Sequence, residues 1–479
     1  MQTQSLSTIK ILYSSNFLLK PSSFIFTLLR KYLFILEKSY LHKQLFLLAI
    51  PMILSNITVP LLGLVDTAVI GHLEYPYYLG GATIGAMVIT AITWLCGFLR
   101  MSTTGLAAQA YGAGNIEQGL LVLLRGIIVA SLVGVTLLIF QVFYLEAALY
   151  VAGGSEQVQH YARQYSEIRI WGLPAALSNL VILGWLLGNH QAKSVMWLLI
   201  ITNIINLLLD LLFVMVFDWQ VKGLALATIL AEYTGLLFGL LVIFNKFRDS
   251  IPQLLKQQTN ALSHLLTLLF ERSVLLTYFK LNRDILIRTL SLQVCFIFMT
   301  AQGARLGDNI VAANAILMNF LLLISFGLDG IANAAEVMVG KAKGENNTQA
   351  LKKIVHVALL WTAIFALTYS IIFALFGQQF ISFITTIDTI ITFAQQYLIW
   401  IIILPIISCW CYLYDGIYIG LMQTKTMRNS MVISTFCCFF PAWFLLQSFG
   451  NHGLWAAFSI FMLARGITLA WHFKYYQQQ

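Results

Sequence analysis

The stretch AIPMILSNITVPLLGLVDTAVIGHL, residues 49–73, decides how this chain is read. It is apolar almost throughout, yet Asp66 sits inside it. About 20 such residues make a helix that crosses a bilayer core of ~30 Å. An unpaired carboxylate in that core costs a few kcal/mol on insertion scales. Runs of this kind recur along the chain, for example at 45–70, 195–217 and 354–376. Of 479 residues 59% are hydrophobic and 10% charged, with a mean hydropathy of +0.82, too apolar for a soluble domain to hide.

The runs are continuous and do not alternate, which implies helices rather than a barrel. The expected fold is an all-α polytopic membrane protein of twelve transmembrane helices in two pseudo-symmetric six-helix bundles around a central cavity. The expected spans are 45–73, 79–108, 120–145, 164–189, 194–217, 223–245, 284–304, 311–338, 353–376, 394–420, 430–448 and 453–473. The longest polar interval, 245–284, divides six helices from six. The domain reading is an N-terminal cytoplasmic or interfacial extension (1–44), a first lobe (45–245), a cytoplasmic linker (246–283), a second lobe (284–473) and a cytoplasmic tail (474–479). Arg30 and Lys31 interrupt the apolar stretch 24–36, so it reads as an interfacial helix or extended start, not a signal peptide.

Internal repetition supports two halves. AQAYGAGN resembles GKAKGENN, with Lys341 standing 232 positions after Gln109. At the same offset Gly188 of GWLLGNHQAK meets Gly420 of IYIGLMQTKT, and at a step of 230 KGLALATILAEY resembles HGLWAAFSIFML. An even number of helices per half makes the repeats parallel, with a site expected at their shared interface.

The net charge of +9 is distributed by topology and forms no nucleic-acid patch. Lys193, then Lys246 to Lys280, then Lys341 to Lys353, then Lys425 and Arg428, and finally Lys474, fall in every second connection. The connections between them are poor in positive charge and are expected outside, which leaves both termini in the cytoplasm. All six cysteines lie in apolar runs and are expected as buried packing.

Depth then isolates two acids. Asp66 precedes Tyr75, the first of an aromatic belt with Tyr77 and Tyr78, by nine residues, about 13 Å of helix. Asp210 precedes Trp219 by the same interval, and both helices run outward, so the two acids are expected at one level. Asn203, Asn206 and Asp210 share a helical stripe, and Asn179 and Thr228 are expected in the same lining. Pro60 is expected to loosen the first helix. Paired acids at this depth resist simultaneous ionisation, so they can load and release a proton near physiological pH. Oxygen ligands around them could instead hold Na⁺.

Other acids are weaker candidates. Asp329 in FGLDG and Asp415, beside Tyr412, Tyr414 and Tyr418, are expected to line the second lobe's cavity. Glu232 and Glu336, nearer helix ends or without polar company, are expected to be solvated or structural. Arg283 and Asp284 are expected to open helix seven as a cap. The sequence lacks a GxxxxGK[ST] loop, an HExxH pair and any Ser-His-Asp order, so neither ATP hydrolysis nor another enzymatic apparatus is expected.

AIPMILSNITVPLLGLVDTAVIGHL, FLRMSTTGLAAQAYGAGN, LGWLLG, NIINLLLD, LNRDIL, GARLG and WCYLYDGIYIG followed by MRNSM resemble the multidrug and toxic compound extrusion (MATE) transporters, in their DinF-type branch, over residues 40–473. The resemblance implies an antiporter that exports amphipathic or cationic drugs and toxic compounds in exchange for H⁺ or Na⁺. It places the ion-coupling site on Asp66, Asn206 and Asp210, with Asn179 and Thr228 as further lining. The sodium-coupled branch carries a glutamate inside helix seven, whereas 285–304 here holds no acid; its helix-ten acid has a counterpart in Asp415. That departure favours H⁺ over Na⁺ as the coupling ion, with no other cofactor. The expected setting is the bacterial cytoplasmic (inner) membrane, with small-molecule substrates and the lipid bilayer as partners, no nucleic acid, and a monomer. The rival readings are a flippase for lipid-linked envelope precursors, which would line its cavity with arginines, and a membrane-embedded enzyme. Arg125, Arg169 and Arg288 are the main arginines noted within helices.

Overall fold

A computed structural model describes residues 23–71, 73, 75–248 and 266–476. The expectations for 1–22, 249–265 and 477–479 fall outside the described residues. The residues up to Gln44 form one unit and those from Leu45 onward another, to which all that follows belongs.

Helices account for nearly all of the described chain. The first half comprises α1 (Ser23–Gly71), α2 (Pro76–Leu95), α3 (Phe98–Gly112), α4 (Ile116–Ile139), α5 (Gln141–Ala152), α6 (Glu156–Arg169), α7 (Leu173–Gly188), α8 (Ala192–Asp210) and α9 (Gln220–Phe247). The second comprises α10 (Arg272–Leu306), α11 (Asp308–Gly344), α12 (Thr348–Ile384), α13 (Asp388–Gly420), α14 (Thr424–Ile433), α15 (Phe440–Leu446) and α16 (Gly450–Tyr476). Among the described residues eleven helical stretches are long and apolar enough to cross a membrane. The last of them, Thr424–Tyr476, doubles back at Gly450, whose φ of +56° suits glycine, so it supplies two passes of the twelve.

Several details differ from the sequence reading, three of which bear on the site and its supports. The second crossing is divided at Cys96 and Gly97 into α2 and α3, α1 continues through Pro60 without a break, and α10 begins at Arg272. Arg283 and Asp284 therefore do not cap a helix: they lie about three turns inside α10. Asp284 is buried and accepts a hydrogen bond of 2.7 Å from Arg428. Four cysteines are buried as expected, but Cys437 is exposed and Cys438 half-buried, because the wide turn at Ser434–Phe439 rotates them off the packed face.

The offset of 232 residues reappears in three dimensions. α3 and α11 end at Gly112 and Gly344, α7 and α13 at Gly188 and Gly420, and α4 and α12 start at Ile116 and Thr348. The caps repeat too: Asn115 accepts from the Gln118 N–H and Asn347 from the Ala350 N–H, each at 2.9 Å. A β-carbon added at Gly184 would stand 2.5 Å from the Arg100 carbonyl oxygen, and one at Gly416 2.4 Å from that of Ala332. In both halves the glycine lets two helix backbones touch, the usual device for packing helices in lipid. Gly416→Ala should therefore push α13 off α11 and cost about 1–3 kcal/mol, read as a lower thermal midpoint in detergent. An unchanged midpoint would show that the two helices have slack.

The halves meet where α3 and α11 end. Gln109 Nε2 donates to the Gly420 carbonyl at 2.8 Å, and a β-carbon on Gly112 would stand 2.1 Å from the Lys341 oxygen. The Lys341 ammonium lies over the Tyr111 ring, 5.7 Å from its centroid, and that ring packs on His190. Burial, and after it the Lys341 charge, push the His190 imidazole down to about 4 from an ordinary value near 6.5. Between those values the unfolded chain holds a proton that the folded chain refuses. Stability is therefore full above about pH 6.5 and declines toward pH 4, by about 1.4 kcal/mol per unit. Thermal midpoints at pH 7.5 and 5 should fall less in His190→Gln than in the wild type, and equal slopes would count against the assignment.

Candidate functional site

A cavity of about 370 Å³ lies within the first half, between α1, α2, α6, α7, α8 and α9. Asp66, Asn179, Asn203, Asn206 and Thr228 all border it, as do Tyr165, Arg169 and Glu232. Asp210 does not itself border the cavity: it is 0% exposed, with its carboxyl beside that of Asp66, which does. The stripe on α8 therefore faces inward, toward α1.

Local structure positions these groups. α8 ends at Asp210 and passes into a wide turn over Leu211–Val216, where the Phe217 N–H reaches back five residues to the Leu212 carbonyl at 3.0 Å. Turns of this type widen a helix and often accompany sites. Asn206 Nδ2 donates to Thr228 Oγ1 at 3.3 Å, Asn203 Nδ2 to Thr58 Oγ1 at 2.9 Å, and Asn179 Nδ2 to the Glu232 carbonyl at 2.9 Å. Each amide spends an N–H on the scaffold and leaves its oxygen on the other side of the group. Five buried oxygens are left with no hydrogen-bond partner among the described residues: Asp66 Oδ1, both carboxyl oxygens of Asp210, Asn206 Oδ1 and Asn179 Oδ1. All five are acceptors, and buried acceptors without donors are costly unless something positive joins them.

Glu232 takes the structural rather than the solvated side of its sequence reading. Glu232 does not lack polar company: Arg169 grips both its oxygens, with Nη1 to Oε2 at 2.9 Å, and the side chains are 8% and 16% exposed. The Arg169 charge also reaches Asp66. These partners are 63 residues apart in the chain, so no local spacing reveals them.

In the second half, Asp329 and Asp415 do not border this cavity. Asp415, read as a polar lining among tyrosines, is instead an ion-pair centre: Arg465 Nη2 reaches its Oδ2 at 2.7 Å and Arg288 Nη2 binds the same oxygen. Tyr418 donates to the Leu469 carbonyl at 3.0 Å. Glu336 is neither solvated nor near an exposed end; it is 1% exposed, with Thr104 and Arg100 of the first half beside it. Arg100 and Arg465 are the charges that sequence reading passed over, although their position inside the apolar runs FLRMST and LARGITL marks them as intramembrane cations.

A two-lobed bundle of twelve membrane-crossing helices, with its polar side chains turned inward around a cavity, is the build of a membrane transporter. The MatE family model matches it twice, over residues 51–212 and 285–444, once in each half. DNA damage-inducible protein F of Escherichia coli strain K12 is 43% identical over 430 residues, 89% of this chain and 91% of that protein. The probable multidrug resistance protein NorM of Thermotoga maritima is 22% identical over 386 residues, 77% of this chain and 78% of that one. A crystal structure of MATE in complex with MaL6 superposes with a TM-score of 0.78 at 19% identity, covering 90% of this chain and 95% of that one. An outward-facing multidrug resistance MATE family transporter superposes at 0.76, with the same identity and coverage. The chain belongs to the MatE family of multidrug and toxic compound extrusion transporters. It is a multi-pass membrane transporter and not an enzyme.

Proposed function

We propose that the protein is an antiporter that expels amphipathic or cationic compounds in exchange for a cation taken up at Asp66 and Asp210. The observation that carries this reading is the set of five buried acceptor oxygens with nothing to donate to them. A proton shared by the two carboxyls, a sodium ion, or the ammonium of a cargo molecule would each compete for the carboxylate oxygens of that set, and only one can be held there at a time. Exchange follows from this exclusion: the ion enters from one side and displaces cargo, then leaves on the other and restores the negative charge. One charge crossing 100 mV supplies about 2.3 kcal/mol, enough for roughly a fifty-fold gradient.

H⁺ is the favoured coupling ion. In the second half, the acid that matches the sodium-coupled branch is Asp415, and two guanidinium groups already occupy its oxygen. The protein is placed in a bacterial cytoplasmic membrane as a monomer with both termini inside, in keeping with the basic alternate connections. The flippase reading is weaker, since it needs free arginines for phosphate. Arg125 donates to the carbonyls of Leu268 and Leu269, Arg169 is held by Glu232, and Arg288 by Asp415.

Proteoliposomes loaded with a cationic dye test the proposal. Dye should move against an imposed proton gradient and stay put under a sodium gradient alone. Movement driven by sodium alone would transfer the site to Na⁺, and movement under neither would remove the antiport reading.

A further inference from the structure

α5 and α6 are joined through Gly153, Gly154 and Ser155, at the end of the bundle that the basic connections place outside. The Tyr161 ring on α6 stacks on Tyr77 with centroids 5.3 Å apart and meets Tyr78 edge-on at 4.7 Å, so α6 passes through the aromatic belt at that residue. A polar face runs along α6 past that level. Glu156, His160, Arg163 and Glu167 follow one another at three or four residues, with Trp171 in the turn beyond, and all five are exposed. Glu167 stands six residues past Tyr161, about 9 Å further into the bilayer. The other side of α6 carries Tyr165 and Arg169 to the cavity of the first half, so the exposed face belongs to a separate place.

α5 lies along this face and makes a cleft of it. A cavity of about 320 Å³ lies between the two helices, bordered by Gln141, Glu146 and Leu149 of α5 and by Arg163, Glu167 and Trp171. Arg163 Nη1 donates to Glu146 Oε1 at 3.4 Å, with the side chains 51% and 57% exposed. That bond leaves the Nε and Nη2 groups of the guanidinium open. Glu167 has no cation paired with it among the described residues. Val142 and Trp171, each 59% exposed, border the same cleft with apolar surface. Bare acyl chains over it would leave carboxylates facing hydrocarbon, which is costly, and water alone would leave the apolar side chains wet. An amphiphile meets both demands.

We propose that the cleft between α5 and α6 binds the headgroup of an aminophospholipid of the outer leaflet, with its ammonium between Glu146 and Glu167, its phosphate on Arg163 and an acyl chain over Trp171 and Val142. A primary ammonium brings three N–H donors to two carboxylates, whereas a quaternary choline brings none. The guanidinium suits the phosphate, since its open N–H groups form a planar fork. Glycerol headgroups bring no positive charge and leave both acids unanswered. The cleft therefore distinguishes lipids by the head and not by the chain.

Native mass spectrometry of the full chain in detergent tests this, titrated in turn with phosphatidylethanolamine, phosphatidylcholine and phosphatidylglycerol of identical acyl chains. The wild type should hold its first phosphatidylethanolamine about tenfold more tightly than either of the others. Glu146→Gln with Glu167→Gln should bring that ratio over phosphatidylcholine down to about one while leaving phosphatidylcholine binding unchanged. Arg163→Gln should weaken both lipids alike, because both carry the phosphate. Glu117→Gln, an exposed acid on α4 at the far end of the bundle, should leave the ratio as it is in the wild type. No preference in the wild type would overturn the proposal, and so would a preference that survives loss of both acids or falls equally in Glu117→Gln. If the double variant does not fold, the two single variants decide by the same ratio, and a wild-type ratio in both overturns it. Binding is read without gradient or cargo, so its failure leaves the exchange site at Asp66 and Asp210 untouched, and failure of that site leaves the cleft untouched.

Discussion

Asp210→Asn should bring gradient-driven dye efflux down to background, a loss of at least about tenfold, while the protein stays folded. The reason lies in the company the carboxyl keeps. Asp210 is fully buried, faces Asp66, and has no hydrogen-bond donor on either oxygen. An asparagine is nearly the same size and offers an N–H to the Asp66 carboxyl, so it fills the role of the missing proton permanently. The substitution should thus be neutral for stability or raise it by about 1 kcal/mol, since it makes a hydrogen bond where there was none. Transport ends for the same reason: a site that cannot release its positive partner cannot alternate between ion and cargo. Asp66→Asn should behave alike, and the double variant no worse than either single one, because both act on one shared site. Efflux and thermal midpoint measured on the same preparations separate the outcomes. Normal efflux in Asp210→Asn would refute the exchange site, and lost efflux with a collapsed midpoint would make the aspartate a brace.

The same change at Asp415 should do the opposite. This carboxylate takes both Arg288 and Arg465, and Arg465 is 1% exposed. Asp415→Asn leaves two buried guanidiniums facing each other without their anion, and breaking a buried ion pair from one side costs about 3–5 kcal/mol. The expected result is a steep fall in thermal midpoint and in the yield of folded protein, with the surviving fraction still able to exchange ions. Replacing all three charges by apolar residues of similar volume (Asp415→Leu with Arg288→Met and Arg465→Met) should restore much of the loss, because no charge is then stranded. If Asp415→Asn instead keeps its midpoint and loses sodium-dependent transport, Asp415 is an ion site and the second half is no mere scaffold. Two aspartates in similar apolar runs thus have opposite meanings, set by whether an arginine reaches them.

That difference marks how far the sequence could be read. Helix count, the division into halves and the inward stripe of Asn203, Asn206 and Asp210 were legible because they depend on local quantities. These are the length of an apolar run, a helical period, and depth measured from an aromatic belt. The meeting of Asp66 with Asp210 was legible as well, since two distances along parallel helices put both at one level. The partner of Glu232 was hidden because Arg169 comes from another helix, and Asp415 was misread because its two arginines lie 127 and 50 residues away. Glu336 was misread for a further reason: its neighbours Arg100 and Thr104 come from the other half altogether.

By itself the sequence determined that this chain crosses a membrane about twelve times, does so as two repeats, and keeps a pair of acids deep in the first of them. Lipid imposes those features on any chain, because hydrocarbon tolerates neither unpaired backbone nor a polar face turned outward. Only the tertiary structure decided which acids are neutralised by arginine and which are left with open oxygens, because a charge is balanced by whatever lies within a few ångströms in space, and helix packing alone chooses those neighbours.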